Sequence, residues 1–130
     1  MPEHPNVQRL RDGYDAFAKG DFAALDALFA EDIRWHEPGR NQLAGDYEGR
    51  AAVYELFGRV FEVTEGSFRI EIHTVLADDT DAVVVATVSA HRGDRTMQSV
   101  NAQIYRFSGN RIVEFREAIG DQYATDEVFG

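Results

Sequence analysis

The spacing of apolar residues changes near Ser67, and that switch does more than any other feature to limit the folds open to this chain. Before it, apolar side chains recur at steps of three and four, the period of one helical face. Val7, Leu10, Tyr14, Phe17 and Ala18 mark a first helix that Gly20 ends. Phe22, Leu25, Leu28 and Phe29 mark a short second helix with Asp21 as its N-cap, and Ala52, Leu56, Phe57, Val60 and Phe61 mark a third. After Ser67 the period is two, in four runs divided by "DDTD", "GD" and "SGN", the pattern of an antiparallel meander. Helices followed by strands predict an α+β architecture, with three helices covering one face of a curved sheet. With 130 residues and no repeat or linker, positions 1–130 read as a single domain.

Alternation then assigns faces. Ile70, Ile72 and Leu76 fall opposite Arg69, Glu71 and His73, and Val84, Ala86, Val88 and Ala90 fall opposite Thr87, Ser89 and His91. The apolar set belongs toward the helices. A two-residue turn at Gly93 and Asp94 places Ala86 beside Asn101 and Val84 beside Gln103. A three-residue turn, Ser108 to Asn110, places Gln103 beside Phe115 and Asn101 beside Glu117. The inner face of the last two strands then reads Asn101, Gln103, Tyr105, Phe107 and Val113, Phe115, Glu117, Ile119. The short run "IRWHE" predicts a further strand at the sheet edge, ended by Pro38, with Ile33, Trp35 and Glu37 inward and Arg34 and His36 outward.

Two carboxylates, Glu37 and Glu117, are thereby expected on an apolar concave surface. Burial disfavours their charged forms and can tune them for general acid or base work. Glu37 is the expected proton-moving group, with Tyr14, Asn101 or Gln103 donating hydrogen bonds to a developing oxyanion, on a hydrophobic small molecule bearing a carbonyl or enol. Phe17, Trp35, Phe57, Tyr105 and Phe115 are the expected walls. Each residue also has a plainer role open to it: Glu37 as a rim residue, Glu117 as a structural carboxylate satisfied by Asn101, Arg116 or water, and Tyr14 as a packing residue.

Other classes of function lose support. A formal net charge of −10, from 23 acidic against 13 basic residues, would repel a phosphate backbone, so no nucleic-acid partner is expected. No cysteine is present, which removes thiolate metal sites and disulfides and makes the cytoplasm the natural compartment. No apolar run approaches the roughly 18 residues of a membrane span, and the start lacks signal-peptide character. His4, His36, His73 and His91 have no metal-ligand spacing, and no nucleotide-binding or nucleophile-elbow motif occurs, so neither a metal nor any other cofactor is expected. Thr87 and Ser89 on the outer sheet face, with Val75 nearby, suggest a homodimer through the sheet.

The stretches "YDAFAKGDFAALDALFAEDIRWHEPG", "LAGDYEGRAAVYELF" and "QIYRFSGNRIVEFREAIGDQYATDEVFG" resemble the SnoaL-like branch of the nuclear transport factor 2-like superfamily, which includes the ketosteroid isomerases. The resemblance covers nearly the whole chain. It implies a cone-shaped α+β barrel, with three N-terminal helices packed in the concave face of a curved, mostly antiparallel sheet around an apolar pocket, commonly dimeric. Fold is specified more sharply than function, because members isomerise, cyclise, hydrolyse, dehydrate or only bind. By this resemblance the isomerases' base falls on Glu37, their catalytic tyrosine on Gly13 beside Tyr14, and their oxyanion-hole aspartate on Gln103. The later-strand carboxylate of polyketide cyclases falls on Glu117 or Asp121, which brings Asp121 to the pocket as well. An epoxide hydrolase arrangement would need an inward arginine, and Arg116 has the opposite parity. The alternatives to an isomerase, cyclase or lyase are a non-catalytic ligand-binding or dimerisation module and a transport-factor type of adaptor.

Overall fold

A computed structural model of the chain describes residues 3–130. The first helix, α1 (Pro5–Lys19), starts where the His4 ring accepts the Asn6 N–H and Pro5 supplies a helix-ready first position. It stops at Gly20, whose left-handed backbone (φ 69°) lets its N–H reach back to the carbonyls of Ala16 and Phe17. Asp21 caps α2 (Phe22–Leu25) through the Ala24 N–H. The chain continues as β1 (Phe29–Glu37), β2 (Gly45–Glu48), α3 (Arg50–Val63), β3 (Arg69–Ala77), β4 (Asp81–Arg92), β5 (Arg95–Ser108), β6 (Arg111–Ile119) and α4 (Gln122–Phe129). No helix among the described residues is long and apolar enough to cross a membrane.

The class is α+β. The six strands form one curved, unclosed sheet in the order β2-β1-β6-β5-β4-β3, antiparallel throughout except where β1 runs parallel to β6. Val7 and Leu10 of α1 and Val53, Leu56 and Phe57 of α3 pack into one core with Ile33, Val84, Ala86, Ile112 and Phe115 of the sheet.

Several expectations need correction, each for a local reason. The sheet edge is β2, not β1, because the chain returns after Pro38 and pairs Tyr47 with Trp35; four residues are too few to carry a readable alternation. Phe29 opens β1 opposite Ile112 rather than ending α2. A fourth helix, α4, follows the sheet, capped by Asp121 and burying Thr125, Val128 and Phe129.

Two bulges shift the alternation. On β3 the register moves at His73, so Val75 turns into the core and Leu76 becomes 64% exposed. On β6 the hairpin loop is two residues, Gly109 and Asn110, with Gly109 at φ 63°, and a bulge at Val113 then realigns the pair. Ile112 rather than Val113 is therefore fully buried, and Gln103 rather than Asn101 stands opposite Glu117. The second bulge restores parity, which keeps Phe115 and Glu117 on the inner face.

Gly120 joins β6 to α4 under the Val100 carbonyl, which accepts its N–H at 3.1 Å. A Cβ there would collide with that oxygen, and the backbone cannot yield without moving β5. Gly120→Ala is expected to cost about 1–3 kcal/mol. Urea denaturation should show this as a lower midpoint at unchanged slope, and an unchanged midpoint would show that the junction is loose.

Candidate active site

Three adjacent strands aim polar groups at one spot. The parallel register sets Trp35 beside Phe115, so Glu37 and Glu117, each two residues further along, face the same side on neighbouring strands. Gln103 lies directly across from Glu117, and Asn101 lies diagonally from it. Gln103 Nε2 and Asn101 Nδ2 both donate to Glu117 Oε2, at 2.8 and 3.0 Å. Glu37 has a single such donor, the Trp35 indole N–H, at 2.7 Å from Oε1.

The remaining polar groups hold those donors in place. Tyr14 O–H donates to Gln103 Oε1, which turns the amide so that its NH₂ faces Glu117. Since that proton is committed, the 2.7 Å contact between the two phenols is a donation from Tyr105 to Tyr14. Asn101 is oriented from its other end: Oδ1 accepts from the Ser99 hydroxyl at 2.7 Å and from the Gly120 N–H at 3.3 Å. Ser99 in turn accepts the Asp121 N–H at 2.8 Å. No buried side-chain polar atom among the described residues lacks a partner.

Electrostatics separate the two carboxyls. Glu37 is held well above the usual carboxyl range, first by burial and then by the negative charge of Glu117. Glu117 is raised too, by burial, but the hydrogen bonds from Gln103 and Asn101 pull it back, and so does a hydrogen bond from Glu37. The two amide donors thus favour the charged form at Glu117, and the weaker donor set favours the neutral form at Glu37. Burial also raises both phenols, Tyr14 and Tyr105, so they stay neutral donors.

The group lines a cavity of about 110 Å³. Trp35 lies flat on Phe115, with centroids 3.8 Å apart and planes 18° apart, and Phe57 meets Trp35 edge-on at 5.2 Å. Phe17 and Tyr105 complete the aromatic wall. Ten of the residues named from the sequence thus line one cavity: Tyr14, Phe17, Trp35, Glu37, Phe57, Asn101, Gln103, Tyr105, Phe115 and Glu117. Asp121 does not join them. It is exposed and spends its carboxylate on the Ala124 N–H as the cap of α4. His36 is exposed and bonds Asp46. Among the described residues no three His, Asp or Glu side chains gather as metal ligands would.

Sequence reasoning missed Ser99, whose parity with Asn101 was a usable signal, and the wall supplied by the loop after Pro38 and by α4. Asn41 and Leu43 line the cavity from that loop, Thr125 and Phe129 from the helix. Asp126 Oδ1 ties the two together, accepting from Arg40 N–H, Asn41 Nδ2 and Gln122 Nε2 at 3.1, 2.8 and 2.9 Å.

Comparison with known proteins gives a consistent picture. A family model described as the SnoaL-like domain matches residues 10–115. An uncharacterised protein of Mycobacterium tuberculosis is 28% identical over 127 residues, 97% of each chain. Bal32a, from a soil-derived mobile gene cassette, superposes with a TM-score of 0.91 at 36% identity over 96% of both chains. An NTF2-like protein from Burkholderia xenovorans gives 0.84 at 27% identity, covering 100% of this chain and 99% of its own.

Because Glu37 holds its proton more tightly in the folded chain than in the unfolded one, stability is lost as the pH rises from the ordinary carboxyl range through its raised value. Glu37→Gln removes that titration. Thermal melts should show the variant gaining on the parent as the pH rises above the ordinary carboxyl range, by about 1.4 kcal/mol for each pH unit of elevation. Trp35 is the only tryptophan and bonds Glu37, so its emission should titrate over the same range. Parallel melting curves would show that Glu37 is not the titrating group.

Proposed function

The chain belongs to the SnoaL-like domain family of the nuclear transport factor 2-like superfamily, and we propose that it is a cofactor-independent enzyme of isomerase, cyclase or lyase type. In this reading it moves a proton on a hydrophobic small molecule bearing a carbonyl or enol. The observation that carries the reading is the unequal donor set of the carboxyl pair, two amides on Glu117 and one indole on Glu37. It reverses the roles expected from sequence. Glu117 is the base and Glu37 the acid.

The chemistry balances within the pair. Glu117 takes a proton from the carbon next to the carbonyl, and the C–H electrons become the new C=C bond. The carbonyl π electrons take the Glu37 proton, which gives an enol. Glu117 ends neutral and Glu37 ends charged, so the site carries one negative charge before and after. Return of a proton to a different carbon isomerises the substrate, and attack of the enol carbon on an electrophile within the same molecule cyclises it. Tyr14 donates to Gln103, and Asn101 and Gln103 each direct an N–H at Glu117, so they position the base. The proton that Glu37 shares with Glu117 is the acidic one, and it turns to the substrate oxygen as the C–H of the substrate takes its place at the base.

The test is exchange of the α-protons of cyclohexanone into deuterated water, followed by NMR. Glu117→Gln is expected to slow it by about 10²–10⁴. Full activity in Glu117→Gln would place the base elsewhere. Saturable binding with no exchange by the parent would favour the non-catalytic ligand-binding module.

We also propose a homodimer through the outer sheet face, in a cytoplasmic setting that rests on the cysteine-free composition alone. Val75 takes no part, being buried inward, whereas Leu76 and Val100 are 64% and 58% exposed. Half-buried Val83, Val85, Ala102 and Ile104 share their face. Light scattering should give twice the 14.6 kDa chain mass, falling to one chain in a Leu76→Asp, Val100→Asp double variant. A monomeric parent would refute this.

A further inference from the structure

We infer that the cavity admits an uncharged molecule built on a single ring, and that it rejects both anions of the same shape and fused polycycles. The inference deepens the acid–base reading by naming the substrate class of the same site. Size is the first ground. The cavity, about 110 Å³, is of the same order as the apolar cavity of about 150 Å³ that takes one benzene ring, so a single ring fills it once the surrounding side chains shift slightly. Its walls do not yield much further. Trp35 is stacked on Phe115, and Phe17 meets Phe57 edge-on at 4.9 Å and lies tilted against Phe61 at 5.1 Å, so a wider ligand would have to separate rings that fix one another. At Gly13 the space a side chain would need is already taken by Leu28.

Charge is the second ground. Among the described residues that line the cavity there is no lysine, arginine or histidine, while two carboxyls face it with one negative charge between them. An anion would meet like charge at close range with no counter-ion. At about 4 Å and an effective dielectric near 20, that weakens binding on the order of a thousandfold. The net charge of −10 on the whole chain acts in the same direction at longer range.

A cation gains the corresponding attraction but loses more through the desolvation of its own donors. Glu117 already accepts two amide hydrogens and a proton shared from Glu37, and an ammonium carries three N–H donors. Most of the remaining wall is rings and aliphatic chains, from Leu10, Leu56, Phe57, Val88 and Met97 among others, which leave those donors unpaired. A neutral ring with one oxygen fits both halves of the site. The oxygen takes the Glu37 proton, and the ring lies against Trp35 and Phe57.

Trp35 emission, checked by calorimetry, reads binding directly and needs no turnover. Four probes at about pH 8 separate the alternatives: cyclohexanone, cyclohexanecarboxylate, cyclohexylammonium and androst-4-ene-3,17-dione. Cyclohexanone should saturate the signal. The carboxylate should bind at least 100-fold more weakly, the ammonium more weakly than the ketone, and the four-ring ketone not at all up to its solubility. Equal affinity for the carboxylate, tighter binding of the ammonium, saturation by the four-ring ketone, or no binding of cyclohexanone would each overturn the inference. Cyclohexanone that binds without exchanging its α-protons would retire the acid–base reading and leave the substrate class standing. A four-ring ketone that binds and exchanges would do the reverse.

Discussion

The close approach of two carboxyls, Glu37 and Glu117, with a proton to share between them, organises this site. Two carboxyls set side by side in an apolar wall cannot both be charged, because each would be buried without a counter-ion and repelled by the other. Sharing a proton removes one charge, and hydrogen bonds must hold the other. Those bonds come from Asn101 and Gln103, and both amides are useful only in one orientation. Tyr14 fixes one and Ser99 the other. The arrangement therefore reaches from α1 to the start of α4, since Ser99 is itself held by the Asp121 N–H.

The fold supplies what this pair needs through strand order. An antiparallel meander alone would place only Asn101 and Gln103 with Glu117. The single parallel pairing, β1 on β6, delivers Glu37 to the same level from a segment some eighty residues earlier in the chain. The C-terminal helix then closes the cavity with Thr125 and Phe129, and the junction that leads into it presents the Gly120 and Asp121 N–H groups that orient Asn101 and Ser99. A helix that looks like a surface appendage is part of the electrostatics of the site.

Much of this was legible in the sequence because the relevant signals are periodic. The change from a helical period to alternation gave the class, and parity alone placed Trp35, Glu37, Asn101, Gln103, Tyr105, Phe115 and Glu117 on one surface. Alternation fails where a residue is inserted. The bulge at His73 reverses the faces beyond it, so Leu76 and Val75 exchanged places, and on β6 the faces are reversed only between the turn and the bulge, where Val113 and Ile112 exchanged places. Glu117 kept its face only because the turn is one residue shorter than expected and the bulge one residue longer. Asp121 was drawn to the site by likeness to relatives, while its local chemistry, a carboxylate three residues before a free helix N–H, marks it as a cap. Which carboxyl holds the proton was beyond any pattern. It depends on how many N–H groups reach each oxygen, and that count exists only in three dimensions.

The same proton explains why an apolar wall is compatible with ionic chemistry. A lone carboxylate base in such a place would end neutral after taking a proton, and its charge would pass to a substrate oxygen with little to stabilise it. In the proposed reaction the second carboxyl gives up a proton as the first accepts one, so the charge moves a short distance along the wall and never onto the ligand. The rings around the pair then need no rearrangement between one step and the next, which is the condition under which fixed dipoles stabilise a reaction best. Trp35 follows this shift most closely, since its indole N–H already points at the oxygen of Glu37 that must take up charge. Its stacking on Phe115, two residues before Glu117 on the same strand, ties the orientation of one carboxyl to that of the other.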